Sequence, residues 1–183
     1  IPHPFQKPWP KEMDIWTHYF YDAANNPVSH DRIVAPPTQL QWTADPKYYR
    51  SHSWNKSVVG MVTANGRTVH IEDRGPTGTL DTRFPEKWVV VCRDAFSGIE
   101  LWTVPMGPKW GWREWEETGP QPFQHVAKGP IAGLWTMPVP NNRRVVFDPK
   151  RDVVSVTLEY RAPITVLDAK TGKILKTFDK AGT

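Results

Sequence analysis

Cys92-Arg93-Asp94-Ala95-Phe96-Ser97-Gly98-Ile99-Glu100-Leu101-Trp102 and Val166-Leu167-Asp168-Ala169-Lys170-Thr171-Gly172-Lys173-Ile174-Leu175-Lys176 are two copies of one template. It reads small residue, x, Asp, Ala, x, Ser/Thr, Gly, x, x, Leu, with Trp closing the first copy. The Asp carboxylate accepts hydrogen bonds from backbone N–H groups two or three residues on, and the Ser/Thr hydroxyl assists. Gly supplies the positive φ that ends the turn and starts a strand. Trp102 is large enough to fill the gap between two adjacent twisted sheets.

Working outward, each copy sits between strands. Val58 to Thr63 alternates with period two, Val59, Met61 and Thr63 against Val58, Gly60 and Val62. Asn65-Gly66 follows, a strong hairpin signal because both central residues of a type I′ turn need positive φ. Thr68 to Glu72 is the return strand, with His70 on its polar side, exposed or near a loop. A Gly-, Pro- and Thr-rich loop runs from Arg74 to Lys87. Trp88–Arg93 and Ile99–Val104 complete an antiparallel four-stranded meander. The second half repeats the plan: Arg144–Phe147, a turn at Asp148–Asp152 with Pro149 preset for its second position, Val153–Tyr160, Ile164–Leu167 and Ile174–Phe178. Asp94 and Asp168 lie 74 positions apart, more than the ~40–50 of a compact repeat. A Trp-rich insertion accounts for the excess.

Composition agrees with short strands. Pro 19 in 183 residues is roughly double the usual ~5%, which leaves little room for long helices. The longest apolar run, Trp88 to Cys92, is far short of the ~20 residues of a membrane helix. One cysteine excludes a disulfide framework and a Cys-rich zinc site. The net charge of +4 is scattered among acidic residues, unlike the basic stripe of a nucleic-acid binder. The chain opens at Ile1 and is expected to be excised from something longer.

The expected organisation is an extended arm and strap over 1–38, a closing strand and linker over 39–56 with Leu40–Thr43 as the strand, a first unit over 57–105, the insertion over 106–140, and a second unit over 141–183. The fold class is all-β.

The docking template resembles the pyrroloquinoline-quinone (PQQ) repeat of quinoprotein-type β-propellers, where such a four-stranded unit is one blade. Ile15-Trp16-Thr17-His18, Asp22, Asn25-Asn26, Asp31 and Leu40-Gln41-Trp42 look like the strap and first strand that open such propellers. Together with Arg50-Ser51-His52, Gly75-Pro76-Thr77-Gly78 and Trp110-Gly111-Trp112-Arg113-Glu114-Trp115, they are similar to the start of a large PQQ-like propeller of environmental bacteria. The likeness covers about residues 14 to 180 and is specific for fold, weak for function. That superfamily holds PQQ-dependent alcohol dehydrogenases and non-enzymatic scaffolds, such as the lipoprotein of the outer-membrane barrel-assembly machine.

The resemblance implies an incomplete β-propeller of about two blades, because rings close at ~4–8. Further blades are expected from another chain or a cleaved C-terminal part, with Leu40–Thr43 completing the last blade. The bland alternative is a compact two-sheet sandwich. A periplasmic or extracellular location also follows from the resemblance.

The leading expectation for function is a non-catalytic scaffold or binding subunit with no cofactor in this chain alone. The alternative is a fragment of a PQQ-dependent dehydrogenase, with PQQ and Ca²⁺ held only in the complete propeller. A third reading is a carbohydrate-binding module using Trp110, Trp112 and Trp115. The docking set is Asp94, Ser97, Gly98, Trp102, Asp168, Thr171 and Gly172, with no catalytic or metal-ligating role assigned. Asp94 and Asp168 are turn residues rather than bases. His52, Trp110, Trp112 and Trp115 form the candidate ligand or partner surface, with His52 a candidate for the propeller channel and the Trp cluster alternatively a plug of the gap over the insertion. His18, Asp22, His30 and Asp31 serve capping and strap hydrogen bonds. No Gly-x-Ser-x-Gly elbow or phosphate loop occurs in the sequence.

Overall fold

A computed structural model describes residues 10–33, 36–49, 57–77, 86–107, 145–159 and 162–180. Over these the chain is all-β, without a helix. The strands are β1 (Val58–Ala64), β2 (Arg67–Asp73), β3 (Trp88–Asp94), β4 (Glu100–Pro105), β5 (Val145–Asp148), β6 (Val153–Thr157), β7 (Ile164–Asp168) and β8 (Ile174–Thr177). They form two antiparallel meanders, β1-β2-β3-β4 and β5-β6-β7-β8, which do not close into a barrel. The architecture is that of two consecutive sheets of an incomplete, propeller-like fold.

The Asn65-Gly66 hairpin has both central residues at positive φ, 48° and 72°, as a type I′ turn demands. The alternation expected along β1 is broken. Gly60 takes φ 64°, and the register jumps between Val59 and Val62. Both valines therefore face the core, while Met61 stands half-exposed at 50%. A bulge of this kind needs a backbone that tolerates positive φ, which Gly60 supplies. A pair of further register shifts falls at the same place in both sheets, between Cys92 and Arg93 and between Val166 and Leu167. Both lie beside an Asp-to-Gly turn.

The sheets stack face to face. Val62, Val69, Ile71, Val90, Cys92 and Trp102 of the first meet Phe147, Val154, Val156, Leu167 and Ala169 of the second in one core. Each fully buried Val, Leu, Ile or Phe side chain contributes about 1.5–3 kcal/mol, so this shared face holds the sheets together. The inner strands β1 and β5 lie side by side. At the hairpin tips, Asn65 Nδ2 donates to Pro149 O and to Asp152 Oδ1, both at 2.9 Å. Arg67 pairs with Asp152 alongside.

The strap folds onto the inner edges. Trp16 and Thr63 exchange both backbone hydrogen bonds, at 2.9 and 2.6 Å, and Thr17 O accepts from Phe147 N at 3.0 Å. One short stretch thus ties β1 to β5. Asp14 gathers the strap itself, accepting from the Tyr21 hydroxyl at 2.8 Å, the Ser29 hydroxyl at 3.0 Å and His30 N. Those bonds hold its carboxyl below the usual range although partial burial pushes the other way.

Two expectations are corrected here. Leu40–Thr43 is not a strand, because among the described residues no sheet edge runs beside it. The strand after Asp152 ends at Thr157 rather than Tyr160, and the chain bends at Leu158.

Candidate functional site

The two template copies fold as near-identical turns. Asp94 Oδ1 accepts from Phe96 N at 3.0 Å, Ser97 N at 2.8 Å and Ser97 Oγ at 2.8 Å. Asp168 Oδ1 accepts from Lys170 N at 3.0 Å, Thr171 N at 2.8 Å and Thr171 Oγ1 at 2.8 Å. The Ser97 and Thr171 hydroxyls, with those backbone N–H groups, hold both carboxyls below the usual range. Each turn is also bonded to its neighbouring hairpin, Ala95 N to Gly66 O at 2.8 Å and Ala169 N to Asp152 O at 3.0 Å. A carboxylate that already accepts three hydrogen bonds is a poor base, so both Asp residues are structural.

On each turn sits an indole from elsewhere in the chain. Trp102 Nε1 donates to Ala169 O at 2.9 Å, so an indole from the outer strand of the first sheet docks on the β7–β8 turn of the second. Trp42 Nε1 donates to Ala95 O at 3.0 Å, placing a second indole on the β3–β4 turn of the first sheet. The glycines make room. A Cβ on Gly172 would lie 2.8 Å from Trp102 Cδ2, and one on Gly98 closer still to Trp42. Both glycines also hold positive φ, 71° and 72°. Gly172→Ala therefore meets strain and overlap together, and is expected to lower stability by about 2–3 kcal/mol. Urea denaturation measures this, and a loss below about 1 kcal/mol would contradict the close seating of the indole.

Trp102 and the two Asp-to-Gly turns, the residues that the repeat template singles out, are brought together at this seam. Trp42 performs the same task on the first turn, a role that its strand-like sequence pattern does not announce because its partners, Gly98 and Ala95, lie far along the chain.

The face of the first sheet that carries Trp42 also holds a charge network that sequence reasoning missed. His70, expected to be exposed, is buried, and Glu72 is fully buried. His70 Nε2 lies 3.0 Å from Glu72 Oε2, Arg74 Nε 2.6 Å from Oε1, and the Tyr49 hydroxyl donates to Oε2 at 2.9 Å. Arg74 continues to Glu100 at 2.6 Å, and Arg93 reaches Glu100 at 3.3 Å. Arg93 also donates to Gly98 O at 3.1 Å and to Asp45 O.

Burial pushes the Glu72 carboxyl up, but the hydrogen bonds from His70, Arg74 and Tyr49 outweigh it and hold the carboxyl at about 2. Burial, with Glu72 beside it, pushes the Tyr49 phenol up to about 12. His70 is covered because the segment around Tyr49 lies across its face. The network leaves His70 Nδ1 buried without a hydrogen-bond partner among the described residues, and bonds at Trp42, Asp45 and Tyr49 fasten that segment to the sheet.

Cys92 is buried in the shared core, and burial pushes its thiol up to about 12, which makes it unreactive. In the strap, His18 Nδ1 meets Thr17 Oγ1 at 2.8 Å and His30 Nδ1 meets the Tyr21 hydroxyl at 3.1 Å. Asp22 accepts from Ala24 N and Asp31 from Ile33 N. The four are thus separately engaged, and no group of three or more His, Cys, Asp or Glu among the described residues is placed to hold a metal ion. His52, Trp110, Trp112 and Trp115 lie outside the described residues. No described helix is long and apolar enough to cross a membrane.

The arrangement can do two things. It stacks sheets through an indole seated on a glycine turn, and it fastens an incoming segment by buried charge. No family model matches the chain, and no curated protein matches it either.

Proposed function

We propose that this chain is a non-catalytic scaffold or binding subunit within a larger PQQ-like propeller. Its further blades come from another chain or a C-terminal part, in the periplasm or outside the cell. The observation that carries this reading is Trp42. Its indole is fully docked on the Gly98 turn, although its own backbone joins no described sheet. In the Trp102 seam the same indole is delivered by the outer strand of a complete meander. Residues 40–43, which join no sheet among the described residues, would pair as an outer strand only once the other three strands of that blade are supplied.

The outward face of the second sheet supports the same reading. Ile164 and Phe178 stand 46% and 40% exposed there, as expected of a stacking face awaiting a neighbour.

The test is the native mass of the assembly isolated from its source, with every subunit identified by peptide mass spectrometry. The expected result is additional Asp-Ala-x-Ser/Thr-Gly repeats, enough for ~4–8 blades. An intact protein running at the mass of this chain alone would end the proposal. Quinone absorbance with bound Ca²⁺ in the assembly would move the reading to a dehydrogenase.

A further inference from the structure

The seam that follows the second sheet is built from different chemistry. β8 sets Lys176 opposite Val166, just as β4 sets Trp102 opposite Cys92. Lys176 thus occupies the docking position. It shares its face with Val166, Ile164 and Phe178, on the side turned away from the first sheet. Its ammonium lies 4.5 Å above the Phe178 ring.

We infer that the partner covering this face is a further sheet of the same repeat that sets a carboxylate against Lys176, so that the seam closes on an ion pair rather than an indole. The inference rests on the reading above, that more sheets follow. The geometry of the first seam says what covering does. Trp102, at the equivalent place, is 8% exposed, and its single polar atom is satisfied by one carbonyl. An ammonium covered to that degree loses its water, and without an anion its burial is strongly unfavourable.

The stem of Lys176 can stay against apolar neighbours while its head pairs. The surroundings already favour an acidic partner. Across residues 168–180 the acidic residues are Asp168 and Asp179 against Lys170, Lys173, Lys176 and Lys180. Lys170 reaches Asp152 at 3.8 Å and Asp168 is consumed within its own turn, which leaves Asp179 alone beside Lys173, Lys176 and Lys180. A second copy of this chain is a poor fit, because the face it would dock with is covered by Trp42 and Tyr49.

The experiment uses the isolated assembly. Amine acetylation is expected to spare Lys176 while modifying Lys170, whose side chain is 71% exposed. Zero-length carbodiimide coupling is expected to join Lys176 to an Asp or Glu of a segment carrying an Asp-x-x-Ser/Thr turn. Lys176→Glu should weaken assembly at least about tenfold, with Lys176→Arg near wild type.

If Lys176 is acetylated as fast as Lys170 in an intact assembly, the inference falls and the propeller reading stands. If Lys176 is protected, forms no acidic cross-link and tolerates Met, the face is covered but the ion pair is wrong. If no assembly exists, both readings fall together.

Discussion

Trp102→Ala is expected to lower the unfolding free energy by about 3–5 kcal/mol, the range for removing a buried tryptophan. For a chain of this size that corresponds to a fall in melting temperature on the order of 10 °C. The indole fills the rim between the two sheets, and its removal opens a void lined by Gly172 and the core around Leu167 and Ala169. The Ala169 carbonyl is left without its donor at the same time. Trp102→Phe separates the two effects, since it keeps most of the volume and gives up only the hydrogen bond, worth about 1 kcal/mol. Thermal unfolding followed by circular dichroism measures both. A shift of only 2–3 °C for the alanine variant would mean that the sheets are not held at this seam.

Acidification should unfasten the other side of the first sheet. The Glu72 carboxyl sits at about 2 in the folded chain, against an ordinary value of 4.5. A depressed carboxylate contributes its full stability above pH 4.5 and loses it as the pH falls towards 2. The shift corresponds to about 3 kcal/mol lost across that window. Glu72→Gln has no carboxyl to titrate, so its stability should start lower and fall less steeply between pH 4.5 and 2. Glu72→Ala, which strands His70 and half of the Arg74 fork in a buried site, should cost about 3–5 kcal/mol near neutral pH. Chemical denaturation over a pH series decides the matter. Parallel pH profiles for wild type and Glu72→Gln would show that this carboxylate does not carry the acid sensitivity.

The turns were legible in the sequence because their chemistry is local. Asp94, Ser97 and Gly98 need only one another to form the turn, so a short motif carries the whole instruction. The burial of His70 and Glu72 was not read, because alternation along β2 looks like one apolar and one wetted face. The signal lay one strand away. Trp88-Val89-Val90-Val91-Cys92 has no polar side at all, and Val89 and Val91 stand opposite Glu72 and His70. A strand apolar on both faces belongs to a sheet covered on both faces, and the polar groups paired with it must then be satisfied internally. Trp42 escaped for a related reason. Its strand-like pattern was visible, but its role depends on Gly98 and Ala95, more than fifty residues away.

The strap and the Trp102 seam fasten the two sheets at opposite ends, one along the inner strands and the other at the rim. A wedge pinned at both ends has no hinge left to swing on. The angle between its sides is then fixed by the thickness of what lies between them, here Ile71, Val90, Phe147, Val154 and Leu167. Core volume in this protein is therefore also an angular measure. A substitution that thickens the layer on the rim side is expected to tilt one sheet against the other rather than push it straight away.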